Sequence, residues 1–129
     1  MKTVLITGAA GAVAGHLRRE LAGQYKLRLS DKRPLKPSES ETFMRADIGK
    51  MPEALSITEG VDAIVHLGAY AVEGPWEPIL HANIVGCYNL LEAARRNGVA
   101  RFVFASSNHA VGFYRVEQKI DHRDALVVR

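Results

Sequence analysis

The sequence predicts an α/β fold, a doubly wound parallel sheet with strand order 3-2-1-4-5. Short apolar runs rich in Val, Ile and Leu alternate along the chain with segments of helical period. The first run ends at a glycine that leads directly into a helix, as in a βα unit. With 129 residues, 47% of them hydrophobic and 24% charged, residues 1–129 are expected to form one globular domain.

Composition excludes several classes of protein. No window is long and apolar enough to cross a membrane, and no signal peptide is expected, because the first residues lack a long apolar run. The single cysteine, Cys87, cannot form an internal disulfide, which favours the cytoplasm. The net charge of +3 comes without long basic runs, so no nucleic-acid partner is expected. No Cys/His/Asp/Glu spacing suggests a metal site, and His16, His81 and His122 are expected to be surface or packing residues.

The first βα unit is predicted from its apolar order. Lys2–Thr7 is a run of Val, Leu, Ile and Thr before a glycine, which is typical of a buried strand. The following helix has Val13, Leu17 and Leu21 on one face and ends near Gly23, a residue suited to the position after a helix.

Two strands and a short helix are predicted next. Leu27–Ser30 forms a strand that ends at Asp31, and Thr42–Ala46 forms another that ends at Asp47. A segment with two prolines separates these strands, so it is predicted to be a loop. Met51–Thr58 is predicted to be a helix, with a proline tolerated in its first turn.

The last predicted elements are two strands around a long helix. Val61–Leu67 is nearly continuously apolar, as in a strand buried on both faces. Arg101–Ala105 is predicted to be the fifth strand, and Val111–Arg129 shows no strong period. The helix is predicted over residues 76–97, because apolar side chains recur there at helical spacing: Leu80, Ile84, Cys87, Leu91 and Ala94.

The turn after the first strand has the features of a dinucleotide site. Gly8 and Gly11 permit a tight turn at a helix N-terminus, where backbone N–H groups can approach a pyrophosphate; the alternative is an ordinary β-to-α turn. Asp31 follows Gly11 by about 20 residues, the spacing of the carboxylate that accepts both ribose hydroxyls. Such a carboxylate favours NAD over NADP, although Lys32 and Arg33 offer phosphate partners. The alternative for Asp31 is a turn residue.

Other strand ends complete the candidate site. Asp47 has two equally supported interpretations, an acceptor for the adenine amine or an N-cap of the next helix. The segment Leu67-Gly68-Ala69 ends the fourth strand, and its small residues would let a cofactor ribose lie against the backbone; the alternative is a simple turn. The carboxyl ends of parallel strands meet at one edge of a sheet, where ligands bind.

Several motifs occur together and in order: Thr7-Gly8-Ala9-Ala10-Gly11, Asp31, Asp47-Ile48, His66-Leu67-Gly68-Ala69, Asn83-Ile84-x-Gly86-x-x-Asn89-Leu90-Leu91-Glu92-Ala93-Ala94 and Phe102-Val103-Phe104-Ala105-Ser106-Ser107. With them the chain resembles, over essentially its whole length, the extended short-chain dehydrogenases/reductases of the NAD-dependent epimerase/dehydratase group, which have a Rossmann-like sheet. More narrowly, Val72-Glu73-x-Pro75-Trp76 and Ala105–Tyr114 resemble the uronate dehydrogenases. Members of that family oxidise C1 of D-glucuronate or D-galacturonate to an aldarolactone and reduce NAD+.

The resemblance implies roles for individual residues. Ser107 would be the catalytic serine, and it would contact the sugar together with Asn108 and His109. It also implies a sugar acid as substrate and a homodimer that pairs through the long helix. Two residues depart from the pattern, Ala71 in place of a substrate-contacting serine and Ala14 in place of a third glycine. With the residues already discussed, the expected NAD-binding set is Gly8, Gly11, Ala12, Val13, Asp31, Lys32, Asp47, Ile48, Leu67, Gly68, Ala69 and Tyr70.

The family's catalytic Tyr-x-x-x-Lys pair has no counterpart in the sequence. The residues four positions after Tyr25, Tyr70, Tyr88 and Tyr114 are Leu, Gly, Glu and Gln. We therefore expect a chain that stops before the Tyr-x-x-x-Lys helix, leaves part of its sheet uncovered and is catalytically inert alone. The alternatives are a nucleotide-sugar epimerase or dehydratase with the same cofactor half, and a non-catalytic NAD-binding module.

Overall fold

The structure, a computed structural model, describes residues 1–112 and 114–121. Five strands form one sheet: Thr3–Thr7 (β1), Lys26–Asp31 (β2), Glu41–Arg45 (β3), Ala63–His66 (β4) and Arg101–Phe104 (β5). The helices are Ala12–Leu21 (α1), Met51–Thr58 (α2), Trp76–Ile79 (α3) and Gly86–Arg96 (α4). A π-helical segment, Leu80–Val85, joins α3 to α4, and Asn108–Val111 forms a 3-10 turn. Within the described ranges, no helix is long and apolar enough to cross a membrane.

The strand order is β3-β2-β1-β4-β5 and every pair is parallel, which confirms the predicted fold. The central strand β1 pairs with β2 on one side and β4 on the other, and its last residue, Thr7, lies opposite both Ser30 and His66. The connections reverse direction between β1 and β4, so a crevice opens beyond their carboxyl ends.

The core has two layers because alternate residues of β1 point to opposite faces of the sheet. On one face, beneath α2 and α4, the buried residues are Leu5, Ala46, Ile57, Val61, Ile64, Leu90 and Ala94. On the other face, beneath α1, they are Val4, Ile6, Ala9, Ala14, Leu27 and Leu29. At the sheet edge, Val103 and Phe104 of β5 are 58% and 55% exposed.

The inward face of α1 differs from the prediction by one residue. Ala14 is buried and Leu17 and Leu21 pack against the core, whereas Val13 is 66% exposed. The helix begins at Ala12, and the set 14, 17 and 21 keeps the helical spacing while turning Val13 outward. Gly23 follows the helix with φ +77°, as predicted for the residue after a C-cap.

The predicted single helix over residues 76–97 is wrong in its middle. Its π-helical segment is closed by a bond from the Gly86 N–H to the His81 carbonyl, which adds a residue to the turn and shifts the face that follows. Ile84 and Leu91, expected to point inward, are 52% and 48% exposed. The buried residues of α4 are instead Gly86, Asn89, Leu90, Ala93 and Ala94.

Candidate cofactor and substrate site

A cleft of about 690 Å3 opens at the carboxyl ends of β1 to β4. It collects most of the residues expected to bind a dinucleotide: Gly8, Gly11, Asp31, Lys32, Asp47, Ile48, Leu67, Gly68, Ala69 and Tyr70. Ala12 and Val13 do not line it; they open α1 with exposed side chains, because the cleft meets this helix at its backbone N-terminus.

The turn between β1 and α1 requires glycine at its first position. Gly8 has φ +66°, and a Cβ there would lie 2.7 Å from the backbone of Leu67 and Gly68. The Gly11 N–H donates to the Gly8 carbonyl at 3.0 Å, and Gly11 is the N-cap of α1 without a side-chain cap. The first turn of α1 contains no acidic residue, so the positive end of its dipole faces the cleft without a carboxylate nearby in that turn.

The carboxylate of Asp31 is held against this turn. Its Oδ2 accepts a hydrogen bond of 3.0 Å from the Ala10 N–H, and its Oδ1 accepts one of 2.9 Å from the Arg33 N–H. The side chain is 10% exposed, and Arg33 Nε lies 3.6 Å from Oδ1. Asp31 therefore performs the turn chemistry of the alternative interpretation and also lines the cleft.

A buried hydroxyl beside Asp31 has no protein partner. Ser30 is 1% exposed and lines the cleft, and its Oγ has no hydrogen bond among the described residues. An unpaired buried polar atom costs about 1–3 kcal/mol. Its place on the cleft wall makes it available to a polar ligand group.

Asp47 is bound by a histidine that the sequence analysis assigned to the surface or to packing. Asp47 Oδ1 accepts from the Gly49 N–H at 3.0 Å and lies 2.9 Å from His81 Nε2, which is 3.0 Å from Oδ2. Lys32 Nζ lies 3.5 Å from Oδ2. Burial raises the pKa of the Asp47 carboxyl, but the bonds from His81 and Gly49 and the charge of Lys32 outweigh it and hold that pKa below its usual value.

The helix-capping interpretation of Asp47 is not what the structure shows. The N-cap of α2 is Lys50, and no side chain caps this helix. The Asp47 carboxylate instead closes a local turn onto Gly49 and faces His81.

A second cleft, of about 760 Å3, adjoins the first. The two share the wall Leu67–Val72, and the far side of the second is formed by residues after β5, including Ser107 and His109. Asn108, expected to contact substrate, does not line it, although it lies between these two residues in the chain.

The Ser107 hydroxyl accepts a hydrogen bond of 3.1 Å from the His109 N–H and lies 3.3 Å from His109 Nδ1. It therefore caps the 3-10 turn and also lies within hydrogen-bond distance of the His109 ring. The side chain is exposed at the second cleft, where a bound molecule can reach it.

Asn83 holds the wall that separates the clefts. Its Oδ1 accepts from the Tyr70 N–H at 2.7 Å and its Nδ2 donates to the Tyr70 carbonyl at 3.1 Å. These two bonds fix the backbone of the shared wall onto the π-helical segment, which carries Asn83.

A buried histidine supports the floor of the site. His66 is 3% exposed, and its Nδ1 lies 2.7 Å from Thr7 Oγ1, which accepts a long bond of 3.4 Å from the Gly68 N–H. Burial lowers the pKa of His66 to about 4, so the ring is neutral at pH 7. Phe102 and Phe104 lie beside it, with ring centroids 6.0 and 5.8 Å away. In the described part of the chain, no group of three or more potential metal ligands occurs.

Comparison with known proteins places the chain. A family model described as the NAD dependent epimerase/dehydratase family matches residues 4–125. The chain belongs to this family. The uronate dehydrogenase of Pseudomonas putida is 44% identical over 121 residues, which cover 92% of this chain and 45% of that protein. That of Agrobacterium fabrum is 44% identical over 122 residues, 93% of this chain and 46% of that protein.

Solved structures similar to this chain also include uronate and glucuronic acid dehydrogenases. A glucuronic acid dehydrogenase from Chromohalobacter salexigens has a TM-score of 0.93 and 41% identity, covering 98% of this chain and 48% of that one. A mutant uronate dehydrogenase from Agrobacterium tumefaciens, complexed with NAD, has a TM-score of 0.84 and 46% identity, covering 88% of this chain and 44% of that one. This epimerase/dehydratase chain thus spans about half the length of the curated relatives it matches.

Proposed function

We propose that this chain is the cofactor-binding part of an NAD-dependent oxidoreductase that oxidises C1 of a hexuronic acid to an aldarolactone. The observation that carries the proposal is the placement of Asp31 against the glycine turn, in a cleft that adjoins a second one containing Ser107. The similarity to uronate dehydrogenases supports glucuronate or galacturonate as substrate.

The residues present fit an adenine dinucleotide. Gly8 packs directly on the backbone of Leu67 and Gly68, which keeps the turn tight at the cleft, and the Ser30 hydroxyl is buried without a partner among the described residues. Gly8, Gly11 and the N-terminus of α1 would hold the diphosphate, and Asp31 the adenosine ribose. The remaining contacts are assigned to Lys32, Asp47 and Ile48 near the base and to Leu67, Gly68, Ala69 and Tyr70 along the middle of the cofactor. NAD supplies the acceptor of the hydride, C4 of its nicotinamide.

The charges around Asp31 favour NAD over NADP. A 2′-phosphate on the ribose would meet the Asp31 carboxylate. Each neighbouring cation already faces a carboxylate, Arg33 at 3.6 Å from Asp31 and Lys32 at 3.5 Å from Asp47. A 2′-phosphate would have to compete with these carboxylates for both cations.

The second cleft is the proposed position of the sugar. There the Ser107 hydroxyl would donate a hydrogen bond to the reacting oxygen, while His109 and Asn108 would contact the hydroxyls or carboxylate of the sugar. Ala71, which lines both clefts, presents a methyl group where the family pattern has a serine. The sequence holds no Tyr-x-x-x-Lys pair, so the proton acceptor is not assigned to a residue of this chain.

A second copy of the chain is the proposed protein partner, and the cytoplasm the proposed location. The homodimer is supported by apolar side chains left exposed along the π-helical segment and α4: Ile84, Tyr88 and Leu91. Their spacing of four and three residues places them on one helical face. Sedimentation velocity of the protein and of a Tyr88→Glu variant tests this; a monomeric unsubstituted protein would contradict it.

NADH formation, followed by its ultraviolet absorbance, tests the reaction. The purified protein is mixed with NAD and galacturonate or glucuronate, and a UDP-sugar serves as the control substrate. Turnover of a uronate supports the proposal, whereas turnover of the UDP-sugar alone indicates the nucleotide-sugar alternative. Residues 1–129 alone, which hold no Tyr-x-x-x-Lys pair, are expected to be stabilised by NAD without turnover. The same result after this chain is joined to the C-terminal half of a uronate dehydrogenase indicates a non-catalytic binding module.

A further inference from the structure

His81 reaches from the π-helical segment to the loop that follows β3. Its Nε2 lies 2.9 and 3.0 Å from the two oxygens of Asp47, and both residues line the first cleft together with Lys32. Because a carboxylate only accepts hydrogen bonds, Nε2 carries the proton and donates it. The ring lies directly against Gly49, since a Cβ at that position would overlap it.

The backbone of this loop is held independently of His81. The Asn89 Nδ2 donates to the Ile48 carbonyl at 3.0 Å, and Asn89 is 6% exposed. Ile48 also packs on Gly86, where a Cβ would lie 2.8 Å from Ile48 Cγ1. The Asp47 N–H donates to Glu53 Oε2 at 2.6 Å. His81 therefore fixes the orientation of the Asp47 side chain, whereas the other contacts hold the loop backbone.

The two oxygens of Asp47 differ in how many further hydrogen bonds they can accept. Oδ1 accepts from both the Gly49 N–H and His81, which uses its two lone pairs. Oδ2 shares the His81 proton at 3.0 Å and has Lys32 Nζ at 3.5 Å, beyond the usual range for a strong hydrogen bond. Since the Lys32 side chain is 64% exposed, it can move away, and Oδ2 keeps a site for one more donor.

We propose that His81 is a positioning residue for base recognition: its N–H fixes the Asp47 carboxylate so that Oδ2 receives the exocyclic amine of adenine. The inference rests on the proposed dinucleotide site and adds a residue that acts through Asp47. The contact at Oδ2 would distinguish adenine from a 6-oxo purine, because a carbonyl oxygen in place of the amine has no proton to donate to Oδ2. Two other charged groups contact Asp47. Glu53 accepts from its backbone N–H, and Lys32 Nζ lies 3.5 Å from Oδ2, so the close side-chain donor to the carboxylate is His81.

Calorimetric titration with two dinucleotides tests the proposal. The probes are NAD and its hypoxanthine analogue, which carries a 6-oxo group; the proteins are unsubstituted, His81→Ala, His81→Gln, Asp47→Ala and the double variant. His81→Ala is expected to weaken NAD binding about fivefold to tenfold and to change the affinity for the analogue less than about twofold. His81→Gln, which keeps an N–H donor, is expected to retain most of the NAD affinity.

The double variant separates a positioning role from independent contacts. It is expected to bind NAD no more weakly than Asp47→Ala, because removal of the carboxylate leaves His81 nothing to position. His16→Ala, on an exposed part of α1, is the matched histidine control and is expected to change neither affinity. Equal losses for both dinucleotides, additive losses or unchanged NAD affinity would overturn the proposal. Failure of the unsubstituted protein to bind either dinucleotide would instead overturn the proposed function.

Discussion

The Ala10 N–H donates a hydrogen bond of 3.0 Å to Oδ2 of Asp31, and this bond joins the glycine turn after β1 to the end of β2. The parallel register pairs Thr7 with Ser30 and so brings the glycine turn next to Asp31. The Ala9 N–H extends this strand pairing by donating a bond of 3.1 Å to the Ser30 carbonyl. The turn expected to bind phosphates and the carboxylate expected to bind ribose are thus parts of one hydrogen-bonded unit.

Asp31→Asn is expected to relax the choice between NAD and NADP. The amide keeps an oxygen that can accept from the Ala10 N–H, although its NH2 group cannot accept from the Arg33 N–H. The bond to the glycine turn is therefore kept while the charge that repels a 2′-phosphate is lost. We expect the dissociation constant for NADP, divided by that for NAD, to fall about tenfold, as measured by calorimetry. The control is Asp62→Asn. In the unsubstituted protein, the Asp62 carboxylate accepts a hydrogen bond of 2.7 Å from the Thr3 N–H at the opposite end of the sheet. An unchanged ratio in Asp31→Asn would show that another group excludes the phosphate.

Gly8→Ala is expected to destabilise the fold and to abolish dinucleotide binding. The new Cβ would lie 2.7 Å from backbone atoms of Leu67 and Gly68, at a φ of +66° that already disfavours alanine by about 1–2 kcal/mol. We expect a loss of at least about 2 kcal/mol in the free energy of unfolding, measured with urea. Gly15→Ala is the matched control; nothing lies within 4 Å of its Cβ position, so helix propensity should stabilise it by up to about 1 kcal/mol. Similar losses in both variants would refute the role of the close approach.

Stability is expected to fall between pH 6.5 and pH 4 because of His66. Burial holds the pKa of His66 at about 4 in the folded state, below its ordinary value of 6.5. In this window the unfolded chain binds a proton that the folded chain does not, so the stabilisation is complete above pH 6.5 and is lost as the pH falls. The loss amounts to about 3 kcal/mol at most. Urea unfolding of the protein and of His66→Asn measures it.

His66→Asn keeps an acceptor near the Thr7 hydroxyl and removes the titrating ring. Its free energy of unfolding is expected to vary less than that of the unsubstituted protein from pH 6.5 to pH 4. Parallel pH profiles for the two proteins would mean that His66 does not carry the effect.

The ion pair of Arg18 with Glu41 is expected to act in a lower pH window. Arg18 Nε and Nη2 donate to the two oxygens of Glu41 at 2.8 and 2.7 Å and join α1 to β3. These bonds lower the pKa of Glu41 from 4.5 to about 2, so the stabilisation is present above pH 4.5 and is lost as the pH falls toward 2. Glu41→Gln is expected to cost about 1 kcal/mol at pH 7.

Chemical unfolding at both pH values tests this assignment. The cost of Glu41→Gln should shrink as the pH falls toward 2, because the unsubstituted carboxylate is then about half protonated in the folded chain and fully protonated in the unfolded chain. A cost that stays the same at pH 2 would indicate that packing, and not the charge of Glu41, is responsible.

The strand order and the place of Gly8 and Asp31 could be predicted from the sequence because each depends on local signals. A buried strand, a glycine turn and a strand-end carboxylate occur within short segments, and the handedness of βα connections orders the strands. The lateral relation between Ala10 and Asp31 then follows from the parallel register.

The helix from residue 76 to 97 could not be predicted in detail, because helical periodicity assumes a constant number of residues per turn. The π-helical segment breaks that assumption, and apolar residues lie on both faces, so Ile84 and Leu91 were given the inward face that Leu90 and Ala93 occupy. The contact of His81 with Asp47 joins elements far apart in the chain and depends on the π-helical segment, so no sequence spacing indicated it.

The central claim is that the cleft binds adenine dinucleotide with an unphosphorylated ribose, and calorimetric titration of the purified protein with NAD and then with NADP tests it most directly. We expect saturable heat with NAD at one site per chain and an affinity for NADP at least about tenfold weaker. No heat with NAD, or equal affinity for the two dinucleotides, would contradict the account.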